Sequence, residues 1–232
     1  MNRRLLNAIK SDLLFQFRSG FHWIYVVISI FYIMIINLLP DQWGNVLVPF
    51  VIFSDPSVLG FFFIGGLIML EKGQGILALV TITPLRTYEY LLSKIISLNL
   101  ISLLASLAIA LFTGHSFAWL TLILAVILTA SVFTLIGIMV AIQCQTVNQY
   151  FGRVILWMLL IILPCFSLIG FPLSWLFYSV PSVASAKLFI IAFSGGAVVE
   201  IMACSLSMGI WFYVLMRRVA RNFDVYSIKE GV

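Results

Sequence analysis

Charge is what this sequence has least of. Asp, Glu, Lys and Arg make up 9% of its 232 residues, against roughly 25% in an ordinary soluble domain. With 63% hydrophobic residues and a mean hydropathy of +1.17, too little polar surface exists to keep a folded globule in water. That excludes a soluble enzyme, a nucleic-acid-binding domain and a disordered tail. Thiol and imidazole groups are also scarce: Cys144, Cys165 and Cys204 are the cysteines, and His22 and His115 the histidines. No CxxC occurs and no histidine stands near a cysteine, so neither a disulfide framework nor a zinc site is expected. A GxxxxGK[ST] phosphate loop is missing too, which leaves the chain without that route to binding ATP. The ten-residue alternating strands of an outer-membrane barrel are absent.

Long apolar runs dominate what remains. Crossing roughly 30 Å of hydrocarbon at about 1.5 Å per residue takes about 20 apolar residues. Six stretches qualify, at 21–39, 47–70, 95–113, 117–141, 154–172 and 188–216. Helices satisfy every backbone group in lipid, so the expectation is an all-α integral membrane protein with six transmembrane helices. With the N-terminus in the cytoplasm, Arg3, Arg4, Lys10, Arg18, Lys72, Arg86, Lys94, Arg153, Arg217, Arg218, Arg221 and Lys229 all fall inside and only Lys187 outside. This positive-inside bias supports an even number of spans and places both termini in the cytoplasm. Asp12 interrupts the basic leader and no short apolar region with a cleavage site follows, so the first run is expected to be a retained span rather than a signal.

Two segments depart from the simple pattern. Over residues 2–18, Leu5, Ile9, Leu13 and Phe17 recur every four residues between basic flanks. That spacing predicts an amphipathic helix in the membrane interface; the alternative is a basic leader that only sets orientation. Between Arg153 and Lys187 no charge occurs, and Pro164, Gly170, Pro172 and Pro181 interrupt the run near Trp175, Phe177 and Tyr178. A re-entrant segment before span six is expected there, or an external loop with an aromatic belt. No internal repeat marks an inverted-repeat transporter.

Two acids lie in apolar surroundings. Asp55 is expected at the outer part of span two and Glu200 near the middle of span six, with no spanning Lys or Arg as an obvious partner. An intramembrane carboxylate must pair, protonate or face water. Both are therefore candidate polar linings of a path or candidate cation or proton sites, and for Asp55 a place at the outer mouth is the plainer reading.

The segment from Glu71 to Lys94 carries most information. Ile76, Leu77, Leu79, Val80 and Ile82 are apolar, yet both ends are charged and the length is too short to span. Such a segment is best buried against another protein surface or in the headgroup layer. Thr83 can cap a following helix with Pro84 in its first position. The pattern Glu71-x-x-x-Gly75-x-Leu77, then Thr83-Pro84-Leu85, Glu89, Leu91-Leu92 and Lys94 resembles the signature of ABC-2 type permeases, the membrane subunits of type V ABC exporters. Ile76 stands where Thr is common in that signature, and Ala78 where Glu is common.

The resemblance implies a coupling helix between spans two and three that docks on a cytosolic ATPase, involving Glu71, Lys72, Gly75, Ile76, Leu77, Thr83, Pro84 and Leu85. It further implies an interfacial elbow helix at 1–18, a six-helix bundle over 21–216 with the coupling loop at 71–94, and a cytoplasmic tail at 217–232, all within one transmembrane domain. The chain itself would hold no catalytic residue, cofactor or metal; ATP and Mg would sit on two copies of an ABC ATPase subunit. A second permease copy, or a related one, would complete the pore in a bacterial cell (inner) membrane, with lipid and no nucleic acid as surroundings. Hydrophobic or amphipathic cargo, such as a drug, a peptide or a lipid-like molecule, would leave the cytoplasm or inner leaflet. Against this stand an ion-coupled carrier or channel using Glu200 and Asp55, and a non-transporting membrane scaffold; the 71–94 loop would then be a hairpin joining two spans.

Overall fold

A computed structural model of the chain describes residues 2–38, 41–54, 60–76, 85–114, 116–162, 164 and 179–230. Among them are nine helices and no strand: α1 (Asn2–Arg18), α2 (Phe21–Leu38), α3 (Asp41–Ser54), α4 (Gly60–Gly73), α5 (Thr87–Phe112), α6 (Trp119–Ile142), α7 (Val147–Ile162), α8 (Pro181–Ser194) and α9 (Val198–Glu230). Four are long and apolar enough to cross a membrane: α2, α5, α6 and the Val198–Phe223 part of α9. The first three follow the runs at 21–39, 95–113 and 117–141. The run at 47–70 is described as two helices, α3 and α4, with Asp55 and Pro56 between them outside the described residues. Of the run at 154–172, α7 describes the first part.

Helix α6 is the centre of the bundle. Its most apolar window is 72% buried, against 17% for α2 and for α9. It packs on α4, α5, α8 and α9. Small side chains explain why several neighbours fit: Ala125, Thr129, Ala130, Ser131, Gly137 and Ala141 are all buried along it. Without a hydrophobic force between helices in lipid, such close approach supplies the packing energy. The same logic governs Gly65 on α4. The buried Tyr150 ring from the start of α7 lies where a Cβ at Gly65 would be, and the Tyr150 hydroxyl donates to the Phe61 carbonyl one turn away. Only a residue without a side chain leaves room for that ring.

The run at 188–216 corrects the expectation of one span. Residues 195–197 break it, so that α8 and α9 form an antiparallel pair. At 14 residues, α8 is about 21 Å long, too short to cross. The Trp211 indole donates to the Ser179 carbonyl at 2.6 Å, which sets the start of α8 beside the middle of α9. Hydropathy reads through the break because Gly195, Gly196 and Ala197 are not polar. Trp175, Phe177 and Tyr178, on which the re-entrant segment was expected, lie outside the described residues.

Residues 2–18 do form a helix, and its buried side is not purely apolar. Leu5, Ile9 and Leu13 are half-buried, but Asp12 and Gln16 are its most buried residues and Phe17 is exposed. This α1 lies against α5.

Candidate functional site: a buried charge cluster at the foot of the 77–84 segment

The 77–84 segment lies outside the described residues, but both of its roots are described. Helix α4 ends at Gly73, and the chain turns off it at Gly75, where φ is +70°. The Gln74 N–H donates to the Leu70 carbonyl at 3.0 Å and the Gly75 N–H to the Lys72 carbonyl at 3.1 Å, a left-handed stop that glycine adopts without strain. On the far side α5 begins after Arg86, whose N–H donates to Glu89 Oε2 at 3.0 Å. That is half of a capping box, supplied by an acid in the first turn.

Just inside these roots the charges meet. The Lys94 ammonium is 1% exposed, Glu71 4% and Asp12 9%. Lysine is almost never buried to that degree unless paired. Here Nζ donates to Asp12 Oδ1 at 2.5 Å and to Glu71 Oε1, and the Tyr90 hydroxyl donates to Glu71 Oε2 at 2.6 Å. Tyr90 stands one turn before Lys94 on the same face of α5, and its ring meets Phe223 of α9 at 5.0 Å between centroids. One turn further along, Gln16 Nε2 donates to Ser97 Oγ at 2.8 Å. Asp12 and Gln16 on α1 thus match Lys94 and Ser97 on α5, as the helical repeat allows. Two carboxylates share one ammonium, and Asp12 Oδ2 is buried with no hydrogen-bond partner among the described residues.

Lys72, next to Glu71, turns the other way. Its ammonium donates to the carbonyls of Ala141, Ile142 and Cys144 at 3.2, 3.1 and 2.8 Å. Ala141 and Ile142 end α6 and Cys144 follows just after it, at a helix terminus where a cation is favoured by the helix dipole and by the unsatisfied carbonyls. The last turn of α4 therefore grips α5 through one residue and the end of α6 through the next, and reaches α1 only by way of Lys94.

Of the residues singled out for ATPase coupling, Glu71, Lys72, Gly75, Ile76 and Leu85 are described, whereas Leu77, Thr83 and Pro84 are not. Glu71 and Lys72 are engaged inside the molecule. Gly73, Gln74 and Gly75 are exposed, and Ile76 and Leu85 are half-buried. Sequence reasoning marked Glu71 and Lys94 as the ends of a segment and Asp12 as an interruption, but did not join them. It missed Tyr90 and Gln16. The available signal was that Asp12 and Gln16 share a helix face with Ile9 and Leu13.

Of the intramembrane acids, Asp55 lies outside the described residues. Glu200 does not stand mid-span and does have a basic partner, which corrects both expectations. It occupies the first turn of α9, and the Lys187 ammonium of α8 donates to its Oε1 at 3.0 Å. The turn at 195–197 folds the two helices back on each other, a geometry that reading 188–216 as one helix hides. Among the described residues, no three His, Cys, Asp or Glu side chains gather to hold a metal ion.

The arrangement ties α1, α4 and α5 together at the two roots of the 77–84 segment, and Lys72 joins α4 to the end of α6. Residues 3–230 match the fluoroquinolones export permease protein family. Two similar proteins are the fluoroquinolones export permease proteins of Mycobacterium tuberculosis strains CDC 1551 / Oshkosh and ATCC 25618 / H37Rv. Each is 28% identical over 149 residues, which cover 64% of this chain and 63% of the relative. The match thus spans less than two thirds of the curated relatives' length. With nearly the whole chain matched by the family, the protein belongs to the fluoroquinolones export permeases, a family of ABC-2-type permeases.

Proposed function

We propose that this chain is the membrane-spanning subunit of an ATP-driven exporter, which moves hydrophobic or amphipathic cargo out of the cytoplasm or inner leaflet. The names of the related mycobacterial proteins bring an aromatic amphiphile, a fluoroquinolone, into that cargo class. Two ATPase subunits carrying ATP and Mg dock on the 77–84 segment and the exposed turn at Gly73–Gly75, and a second copy or a related permease completes the pore. The protein sits in a bacterial inner membrane with both termini in the cytoplasm.

The observation that carries this reading is the Lys94 ammonium bound to both Asp12 and Glu71. A push on the roots of the segment reaches α1, α4 and α5 together, because breaking one contact would strand a buried charge. Coupling therefore needs no chemistry on this chain. The Lys187–Glu200 pair weighs against an ion-coupled carrier, since the carboxylate that such a carrier would use already has its counter-charge.

The test is direct. Gly75→Asp and Leu77→Asp are expected to abolish co-purification with the ATPase subunit, or cargo-stimulated ATP hydrolysis, while membrane insertion stays normal. Unaltered association and turnover in both variants would refute the coupling role.

A further inference from the structure

A cavity of about 300 Å³ opens between α2 and α5, away from the charge cluster. It runs from His22 and Ile101 at one end to Ile33 and Phe112 at the other, about 16 Å along each helix at 1.5 Å per residue. The two helices run in the same direction: Asn37, near the end of α2, donates to the Phe112 carbonyl at 3.4 Å. Its walls are apolar and partly aromatic, with Tyr25 and Phe112 among them, and Ala105 and Ala108 on α5 leave the space that larger side chains would fill. Its rim is made by Val26, Ile30 and Leu104, which are exposed on the outside of the bundle. A molecule would therefore enter sideways, from the hydrocarbon.

Two atoms make this more than a greasy slot. Ser29 is 7% exposed, and its Oγ has no hydrogen-bond partner among the described residues. The same is true of the buried Nδ1 of His22. Both residues line the cavity. They stand on one face of α2, about 10 Å apart along its axis. A buried polar atom left without a partner forfeits its hydrogen bond to water and gains nothing in return. An acyl chain cannot relieve that cost; a ligand with hydrogen-bonding groups spaced along an apolar, flat body can. Ligand sites have this character, mostly apolar with a few placed polar groups, and start at about this volume.

We infer that the α2–α5 cavity is a lateral binding site for aromatic amphiphiles, which enter from the inner leaflet and hydrogen-bond to Ser29 and His22. This deepens the exporter reading and rests on it for its cargo, but binding is measurable without nucleotide or partner, so loss of ATPase coupling leaves it intact.

The experiment uses the full chain in lipid nanodiscs and norfloxacin, followed by its own fluorescence. Ala108→Trp fills the cavity from a half-buried position and is expected to weaken binding at least tenfold. Ser29→Ala keeps the shape and is expected to weaken it about fivefold, the share of one hydrogen bond. Leu206→Trp, on the exposed face of α9, is the control and is expected to bind as the parent does. The inference is overturned if the parent chain fails to bind norfloxacin, or if Ala108→Trp and Ser29→Ala both bind it unchanged. It is also overturned if native mass spectrometry finds a phospholipid that Ala108→Trp expels and norfloxacin does not displace, since the slot is then a lipid groove.

Discussion

The two ends of α9 carry opposite solutions to the same difficulty. Near Phe223, whose ring meets Tyr90, the Lys94 cluster joins residues 82 and 23 positions apart in the chain and hides all of them. At Glu200, about 34 Å along the same helix, the pair with Lys187 joins residues only 13 apart across one turn, and the Glu200 side chain stays 44% exposed. The first kind of pair locks distant helices together, because no member can leave without stranding a charge. The second neutralises a carboxylate and adds little to the architecture. Ion pairs in one apolar protein thus differ less in chemistry than in how much solvent their partners would regain on separation.

That contrast can be broken by measurement. Lys94→Met leaves Asp12 and Glu71 buried without their cation and is expected to destabilise the protein by about 3–5 kcal/mol, read from unfolding in mixed micelles. Adding Asp12→Asn and Glu71→Gln to Lys94→Met should recover a large part of the loss. A triple variant no more stable than the single one would mean that the charges are not the source of the effect. Gly65→Ala is expected to come next, at about 1–3 kcal/mol, since the added methyl meets the Tyr150 ring; this measures close helix packing against charge burial in the same assay. Lys187→Met should have the smallest effect, about 0–1 kcal/mol. A loss at Lys187 equal to that at Lys94 would remove the distinction between the two ends.

Much of the fold could be read in advance where apolar runs were long and bounded by charge. The run at 21–39 became α2, those at 95–113 and 117–141 became α5 and α6, and residues 2–18 became α1. Errors arose where the boundary is conformational rather than chemical. The turn after Ser194 contains nothing that hydropathy registers, so α8 and the start of α9 merged into one span, and Glu200 was displaced from the turn to mid-membrane. The site was legible only as a list of charged positions. Asp12, Glu71 and Lys94 are each conspicuous in a chain so poor in charge, but which carboxylate meets which ammonium depends on how α1 lies across α5. No local pattern encodes that crossing.

The neighbours Glu71 and Lys72 have one more consequence. Side chains consecutive on a helix point about 100° apart, so one turn of α4 is moored on two sides, to α5 by the carboxylate and to the tail of α6 by the ammonium. Such a double mooring forbids α4 to swivel alone: rotation that slackens one tether tightens the other. The foot of α4 is thereby a bracket, fixed at once to α5 and to the end of the hub helix α6.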